Sequence, residues 1–391
     1  MQDNEKKPAL RFKGFTDPWE QRKLEEYLEV SGQKNFEGIY TKEDVLSVSG
    51  DFGIVNQIEF QGRSFAGASV ANYGVVETGD IVYTKSPLKS NPYGIIKANK
   101  GKNGIVSTLY AVYKPKQSAN PEFVQIYFEQ DARMNNYMHP LVNKGAKNDM
   151  KVSAENALKG QIVFPDIKEQ RTISEFFHNL DTLITLHQRK YEKLVNIKKS
   201  MLDKMFPQNG VSVPEIRFKG FTDPWEQRKL EELYFQLTER NADLLPYQKT
   251  LSVATMSFKT DGNGAADTSL ANYKRLRTGD IAFEGHTSKE FRYGRFVLND
   301  VGDGIMSPRF SALRPLHEMP INFWKYYIHY EPIMRKVLVN STKAGTMMNE
   351  LVINEFLQES ILVPSVAEQQ AIGRFFKQLD TLITLHQRKL E

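Results

Sequence analysis

From Lys168 onward, apolar or large side chains fall at Ile173, Phe176, Phe177, Leu180, Leu183, Ile184, His187, Tyr191, Leu194, Ile197, Met201 and Met205, with no glycine or proline before Phe206. Steps of three and four residues held over about five heptads predict one amphipathic helix with a narrow apolar stripe. Pro165 and Asp166 supply start signals, and Pro207-Gln208-Asn209-Gly210 supplies a stop. At ~1.5 Å per residue such a helix spans roughly 55 Å. A second segment, from about Val366 to Glu391, begins in the same way. A narrow stripe needs a partner. The pattern therefore predicts an antiparallel coiled coil in which Ile173, Phe177, Leu180, Ile184, Leu194 and Ile197 face Ile372, Phe376, Leu379 and Ile383. The antiparallel sense lets two tandem domains sit at opposite ends of the rod; the alternative is two helices, each docked on its own domain. Ahead of each helix the pattern changes to short runs rich in β-branched and aromatic residues between Gly, Asn and Pro breakers. Residues 51–60, 79–83, 104–113 and 161–164 read as strands, while 121–137 and 320–339 read as helices.

The chain repeats itself. Residues 11–26, RFKGFTDPWEQRKLEE, return letter for letter at 217–232. ANYGVVETGDI at 71–81 returns as ANYKRLRTGDI at 271–281, and Gly104-Ile105-Val106-Ser107 as Gly304-Ile305-Met306-Ser307. PDIKEQRTISEFFHNLD at 165–181 returns as PSVAEQQAIGRFFKQLD at 364–380, and LDTLITLHQRK at 180–190 recurs unchanged at 379–389. A period near 200 residues is too long for a solenoid, so a whole domain plus its helix is duplicated. Blocks that match to the letter stand beside neighbours that share almost nothing, which argues against uniform drift.

The predicted fold class is α+β: two duplicated mixed α/β domains, each followed by a long helix. The boundaries read as a first domain over 1–166, its helix over 167–206, a linker over 207–214, a second domain over 215–365 and a short second helix over 366–391. With 391 residues, 40% apolar and 25% charged, the composition is that of a globular chain. Cysteine is absent, which excludes disulfides, cysteine zinc sites and thiol nucleophiles and fits a reducing cytoplasm. The polar N-terminus and the lack of an apolar run near ~18 residues give no support to secretion or membrane insertion.

Catalytic patterns are weak. Ser90-Asn91-Pro92-Tyr93 is a partial match to an adenine-methyltransferase signature but lacks its second proline, and the second copy has Glu290-Phe291-Arg292-Tyr293. There is no phosphate-binding loop, Gly-x-Ser-x-Gly or His-Glu-x-x-His pattern. His187 and His386 fall in the repeated heptad, where a seam or surface histidine is the simpler reading than a metal ligand. No catalytic residue and no metal ligand is assigned.

Charge is more informative. The net charge is a mild +5, but residues 81–121 contain no acid and seven lysines, among them Lys85, Lys89, Lys97, Lys100 and Lys102. Residues 132–148 are also acid-free and carry Arg133, Asn135, Asn136, Tyr137, Lys144 and Lys147; so are 332–349, with Lys343. The second copy adds Tyr273, Lys274, Arg275, Arg277, His286, Lys289, Arg292 and Arg295. Lys and Arg interleaved with Asn, Ser, Thr and Tyr combine phosphate neutralisation with base-edge hydrogen bonding, so these residues are the candidate DNA contacts; a solvated basic face is the alternative.

The order, duplication and spacing of these blocks resemble the DNA-specificity subunit of type I restriction–modification systems, over essentially the whole chain. The resemblance rests on two variable domains, each followed by a Pro-x-x-x-Glu-Gln-x-x-Ile helix start: Pro165, Glu169, Gln170, Ile173 and Pro364, Glu368, Gln369, Ile372. The Arg-Phe-Lys-Gly-Phe…Trp-Glu blocks with Trp19 and Trp225 also resemble members from low-GC Gram-positive bacteria. The resemblance implies that each domain is a target-recognition domain reading half of a bipartite asymmetric site. It implies half-sites ~34 Å apart on B-DNA, with the paired helices as spacer. It further implies a cytoplasmic, non-catalytic subunit with no cofactor of its own. S-adenosylmethionine, ATP and magnesium then sit on the partner modification and restriction subunits. Because LDTLITLHQRK is unchanged in both copies, its outward residues Thr182, Thr185, Gln188 and Arg189, with Thr381, Thr384, Gln387 and Arg388, are the candidate docking face for two modification subunits. The competing readings are a protein-binding assembly scaffold without base readout, and a methyltransferase carrying its own recognition domain.

Overall fold

The computed structural model describes residues 7–85, 91–144, 150–207, 210–259 and 267–391. The chain divides into two compact units, Met1–Leu183 and Ile184–Glu391. In chain order its helices are α1 (Gln57–Gln61), α2 (Pro121–Phe128), α3 (Asp131–Met138), α4 (Ile167–Met205), α5 (Ile321–Tyr327), α6 (Glu331–Ser341), α7 (Ile353–Gln358) and α8 (Val366–Arg388). Helix α4 begins in the first unit and ends in the second. Among the described residues no helix is long and apolar enough to cross a membrane.

The first unit is built on a four-stranded antiparallel sheet in the order Leu28–Val30, Tyr110–Pro115, Ile81–Thr84, Ile96–Ala98. The second repeats it as Tyr234–Gln236, Ala312–Pro315, Ile281–Glu284, Arg295–Leu298. Ile81-Val82-Tyr83 is buried on both faces, so it reads as a continuous apolar run, yet successive side chains still part to opposite sides. Ile81, Tyr83, Ala111 and Tyr113 join the cluster under α2 and α3, while Val82 and Val112 join Leu46, Val76 and Val106 on the other face.

Two expectations are corrected here. Residues 51–60 form a strand only over Gly53–Asn56; the Asn56 side chain then accepts from the backbone N–H of Ile58 and Glu59 and starts α1. The predicted helix over 121–137 breaks between α2 and α3, as 320–339 breaks between α5 and α6.

The repeated letters explain how each long helix begins. Arg11 forms a two-point ion pair with Glu169, Nε–Oε1 2.7 Å and Nη2–Oε2 2.6 Å, and Arg217 does the same with Glu368 at 2.7 and 2.7 Å. Both carboxylates are 1% exposed. Gln170 Nε2 donates to the Pro165 carbonyl and Gln369 Nε2 to that of Pro364, each at 2.9 Å, folding the helix start back onto the preceding strand. That strand pairs in turn with the repeated block: Glu20–Lys23 with Gln161–Phe164, and Glu226–Lys229 with Ser360–Val363. Phe12 packs edge-on to Phe176 and Phe218 to Phe375.

Helix pairing within the second unit is antiparallel: His187 meets His386, Lys198 meets Asp380, and Phe206 meets Phe376. Leu194, Ile197, Met201, Met205 and Phe206 enclose Ile372, Phe376 and Leu379 in the core of that unit. Gly373 lies so close to α5 that a Cβ would come 2.7 Å from the Phe323 backbone nitrogen. The predicted seam is corrected at its other end. Ile173 packs into the first unit's own core, while Phe177, Leu180 and Ile184 are largely exposed. The apolar residues of α8 are spent on the second half of α4.

Two stability predictions follow from these contacts. Arg217→Ala leaves the Glu368 carboxylate buried without its partner, and urea unfolding followed by tryptophan fluorescence should show a loss of about 3–5 kcal/mol; the pair Arg217→Leu with Glu368→Leu should recover most of it. Leu379→Ala and Phe206→Ala should each cost about 2–5 kcal/mol, whereas Leu180→Ala should cost under about 1 kcal/mol. Equal losses at Leu180 and Leu379 would contradict the asymmetric packing.

Candidate nucleic-acid interface

Each unit has a two-residue-per-arm hairpin, and in the second unit it meets the connection that leaves the inner strand. In the second unit residues 285–294 connect Ile281–Glu284 to Arg295–Leu298, and the hairpin pairs Thr342–Lys343 with Glu350–Leu351. Asn349 joins them: its backbone N–H donates to the Gly285 carbonyl at 2.9 Å, and its side-chain amide to the Arg292 carbonyl at 3.2 Å. A Cβ on Gly285 would sit 2.1 Å from the Asn349 carbonyl oxygen, so a side chain there would force the two pieces apart. His286, Lys289, Arg292 and Lys343 are exposed on this platform, with Met347 at the hairpin tip. Among the described residues, Lys289, Arg292 and Lys343 form no ion pair. His286 is held by buried Glu284, with Nδ1 2.5 Å from Oε1.

Four other candidate cations of this unit are engaged within it. Arg295 lies over the Phe291 ring at 4.9 Å and donates to the Ala254 carbonyl. Arg275 pairs with Asp303 at 3.4 Å and Asp243 at 3.8 Å, and Arg277 with Glu239 at 2.9 Å. Lys274 donates to the Phe310 carbonyl at 2.6 Å, and burial, aided by nearby Arg240, pushes its ammonium below the usual lysine range. Tyr273 is buried against Leu270 and Ile305. Its ring serves the core rather than a base.

In the first unit Lys102 and Asn136 are exposed, and Lys85 and Asn135 are half-buried. Lys97 is buried along its stem and pairs with Glu129 at 3.0 Å, and Lys100 pairs with Glu122 at 3.5 Å. Arg133 lies over the Tyr127 ring at 4.3 Å and donates to its carbonyl. Tyr137 is buried, with its hydroxyl donating to the Ala157 carbonyl at 2.8 Å. Lys144 opens the hairpin Asn143–Lys144/Met150–Lys151, the equivalent of the one at Lys343. Lys89 and Lys147 lie outside the described residues. Lys97, Tyr137 and Tyr273 therefore leave the set of surface contacts: an acid-free run of sequence meets its carboxylates from other segments, and aromatic rings follow their apolar area inward.

Sequence reasoning missed Lys259 and Arg309, which line a cleft of about 470 Å³ with Thr250, Ser252, His286 and Ser307. A signal existed. Arg309 stands two residues after the repeated Gly-Ile-x-Ser, where the first copy has Leu109.

Along the helices Thr182, Thr185, Gln188, Arg189, Thr381, Thr384, Gln387 and Arg388 are all exposed. Thr182 and Thr381 each donate to the carbonyl four residues back at 2.9 Å, so each hydroxyl is satisfied inside its own helix. Leu186, Leu382 and Leu385 stand exposed beside them. Among the described residues no group of three or more histidines, aspartates or glutamates is placed to hold a metal ion.

No protein-family model and no curated protein matches the chain. Solved structures do. The HsdS subunit from Thermoanaerobacter tengcongensis is similar at 14% identity and TM-score 0.47, over 95% of this chain and 92% of that one. A chain from a structural study of complex assembly and conformational transition in the type I R-M system is similar at 14% identity and TM-score 0.43, over 98% and 94%. The type I restriction-modification system S subunit from M. genitalium is similar at 11% identity and TM-score 0.52, over 98% of this chain and 94% of that one. With the M. genitalium subunit this chain shares its fold: two sheet-rich domains with long helices.

Proposed function

We propose that the chain is the DNA-specificity subunit of a type I restriction–modification complex, each unit reading one half of a bipartite target. The observation that carries this reading is the platform of connection and hairpin in the second unit, whose hairpin Thr342–Lys343/Glu350–Leu351 has an equivalent at Asn143–Lys144/Met150–Lys151 in the first while the letters differ. Its exposed cations, Lys289, Arg292 and Lys343 in the second unit, meet phosphate, and the Asn, Thr and Arg side chains around them meet base edges. Divergence that includes these platforms means two unrelated half-sites. The unchanged helical block means one partner bound twice, its threonine methyls and exposed leucines 382 and 385 forming an apolar patch ringed by Gln387 and Arg388. In this reading the partners are modification subunits, and methyl transfer and cleavage, with S-adenosylmethionine, ATP and magnesium, belong to the partner subunits. The fold shared with an S subunit supports the assignment.

Binding to a random-sequence duplex, measured by fluorescence anisotropy across a salt series, should weaken steeply with salt. Lys343→Ala and Lys102→Ala should each reduce the slope of log affinity against log salt by about 1, while Lys97→Ala and Tyr137→Phe leave it unchanged. A salt-independent affinity sinks the DNA reading. Exchanging residues 27–163 for the matching stretch of a similar protein should change one half of the methylated site and preserve the other, as read by methylome sequencing of cells carrying the chimera. Two altered halves, or none, would favour the scaffold reading.

A further inference from the structure

One station of the duplicated sheet is exposed in both copies and carries opposite chemistry. The turn after Gly-Ile-x-Ser closes on the same hydrogen bond in each, the Tyr110 N–H donating to the Ser107 carbonyl at 3.1 Å and the Phe310 N–H to that of Ser307 at 3.2 Å. The side chain before the aromatic is Leu109 in the first unit and Arg309 in the second, and both are exposed. Each lies beside the start of the connection that leaves the inner strand. The Leu109 carbonyl accepts from the Lys85 N–H at 3.2 Å, and Arg309 shares its cleft with Glu284 and His286. The Arg309 guanidinium lies over the Phe310 ring, 4.7 Å from its centroid, and among the described residues it forms no ion pair or hydrogen bond. Stacking fixes the plane of a guanidinium and leaves its N–H fork free.

Two neighbouring stations change with it. Thr250 stands where the first copy has Val45, each bridged to the isoleucine of Gly-Ile-x-Ser. Lys259 stands where the first copy has Gln57; the Lys259 N–H donates to the Thr250 carbonyl and the Gln57 N–H to that of Val45, both at 2.8 Å. Gln57 spends its side-chain amide on the Ser47 hydroxyl and the Phe65 N–H. Lys259 is exposed, and Thr250 is buried with no hydrogen-bond partner for its hydroxyl among the described residues. A buried hydroxyl left unpaired is costly, and the cleft that Thr250 lines is open to a polar ligand.

The phosphate backbone is alike along any duplex, so a phosphate contact favours a cation or polar donor in both copies. A station that holds exposed leucine in one copy and stacked arginine in the other matches what differs between base pairs. A thymine methyl takes an apolar side chain, and the O6/N7 edge of guanine takes a two-point arginine. We propose that residues 109 and 309 are base-discriminating positions, Arg309 reading a guanine in the half-site of the second unit and Leu109 a thymine methyl in that of the first, with Lys259 on the flanking phosphate. This rests on the DNA-specificity reading above and extends it to one residue and one base in each half. Tyr110 stands in the place of Phe310, so an arginine introduced at 109 has a ring to lie on.

The test is selection by the full chain from a duplex library with a randomised core, sequenced for the wild type and for each variant. The wild type should enrich a two-part motif. Arg309→Leu should weaken the preference for guanine at one position of one half by at least about tenfold and leave the other half as it was. Leu109→Arg should turn one thymine of the other half into guanine. Both positions are exposed, and circular dichroism spectra of both variants should match the wild type. A motif unchanged by Arg309→Leu, with affinity lost equally on all duplexes or not at all, overturns the proposal and leaves the DNA reading standing. So does a motif indifferent to Leu109→Arg. A wild type that enriches no motif sinks both.

Discussion

The two-point pairing of a buried carboxylate with an arginine 150 or so residues away in sequence, Glu169 with Arg11 and Glu368 with Arg217, is the constraint on which each unit depends. A carboxylate removed from water is tolerated only with its counter-charge in place. The pair therefore fixes three things at once: where the long helix starts, which strand precedes it, and where the N-terminal block of the domain lies. Gln170 and Gln369 extend the constraint. Each closes the bend between strand and helix through a proline carbonyl. Pro165 and Pro364 stop the strand, and the glutamine turns the chain into the helix.

Around this clamp the two copies fill the same volume in different ways. On the outer face of the sheet Val82 and Val112 of the first unit are replaced by Ala282 and Ala312, while Val76 and Val106 are replaced by Leu276 and Met306. Lost methyl groups on the sheet are returned by longer side chains from the neighbouring strand pair, the kind of volume-conserving exchange that cores accept. The Thr-Gly-Asp-Ile turn survives because its geometry is strict. Asp80 and Asp280 accept from the backbone N–H three residues before, and Gly79 and Gly279 hold positive φ. Framework letters persist where backbone geometry or a buried charge demands them. The platform of connection and hairpin differs in its letters, Gly285 of the second copy standing where the first has Lys85.

The same comparison separates two uses of one apolar stripe. Along α4 the pattern is continuous, yet its first part leans on the first unit through Ile173 and its last part on the second through Met205 and Phe206. Between them lies a stretch of exposed apolar residues, Phe177 to Ile184, and exposed threonines. Apolar residues outside a core mark interaction surfaces more often than accident when they are contiguous.

The sequence by itself determined the duplication, the α+β class and the two long helices, because letter identity and three-four periodicity are local signals that survive without knowledge of packing. It marked the acid-free windows but not their fate. Lys97 finds Glu129, Arg277 finds Glu239, and Tyr137 and Tyr273 turn inward, since partners distant in sequence decide whether a charge is neutralised and whether a ring is buried. It missed Arg309 and Lys259, brought beside His286 by strands that are far apart in the chain. Periodicity likewise assigned Phe177 and Leu180 to a seam, though a stripe says only that a face is apolar. Which stretch of it is covered depends on what else the tertiary structure can place against it, and that is a property of the packed molecule, where each helix face can be buried only once.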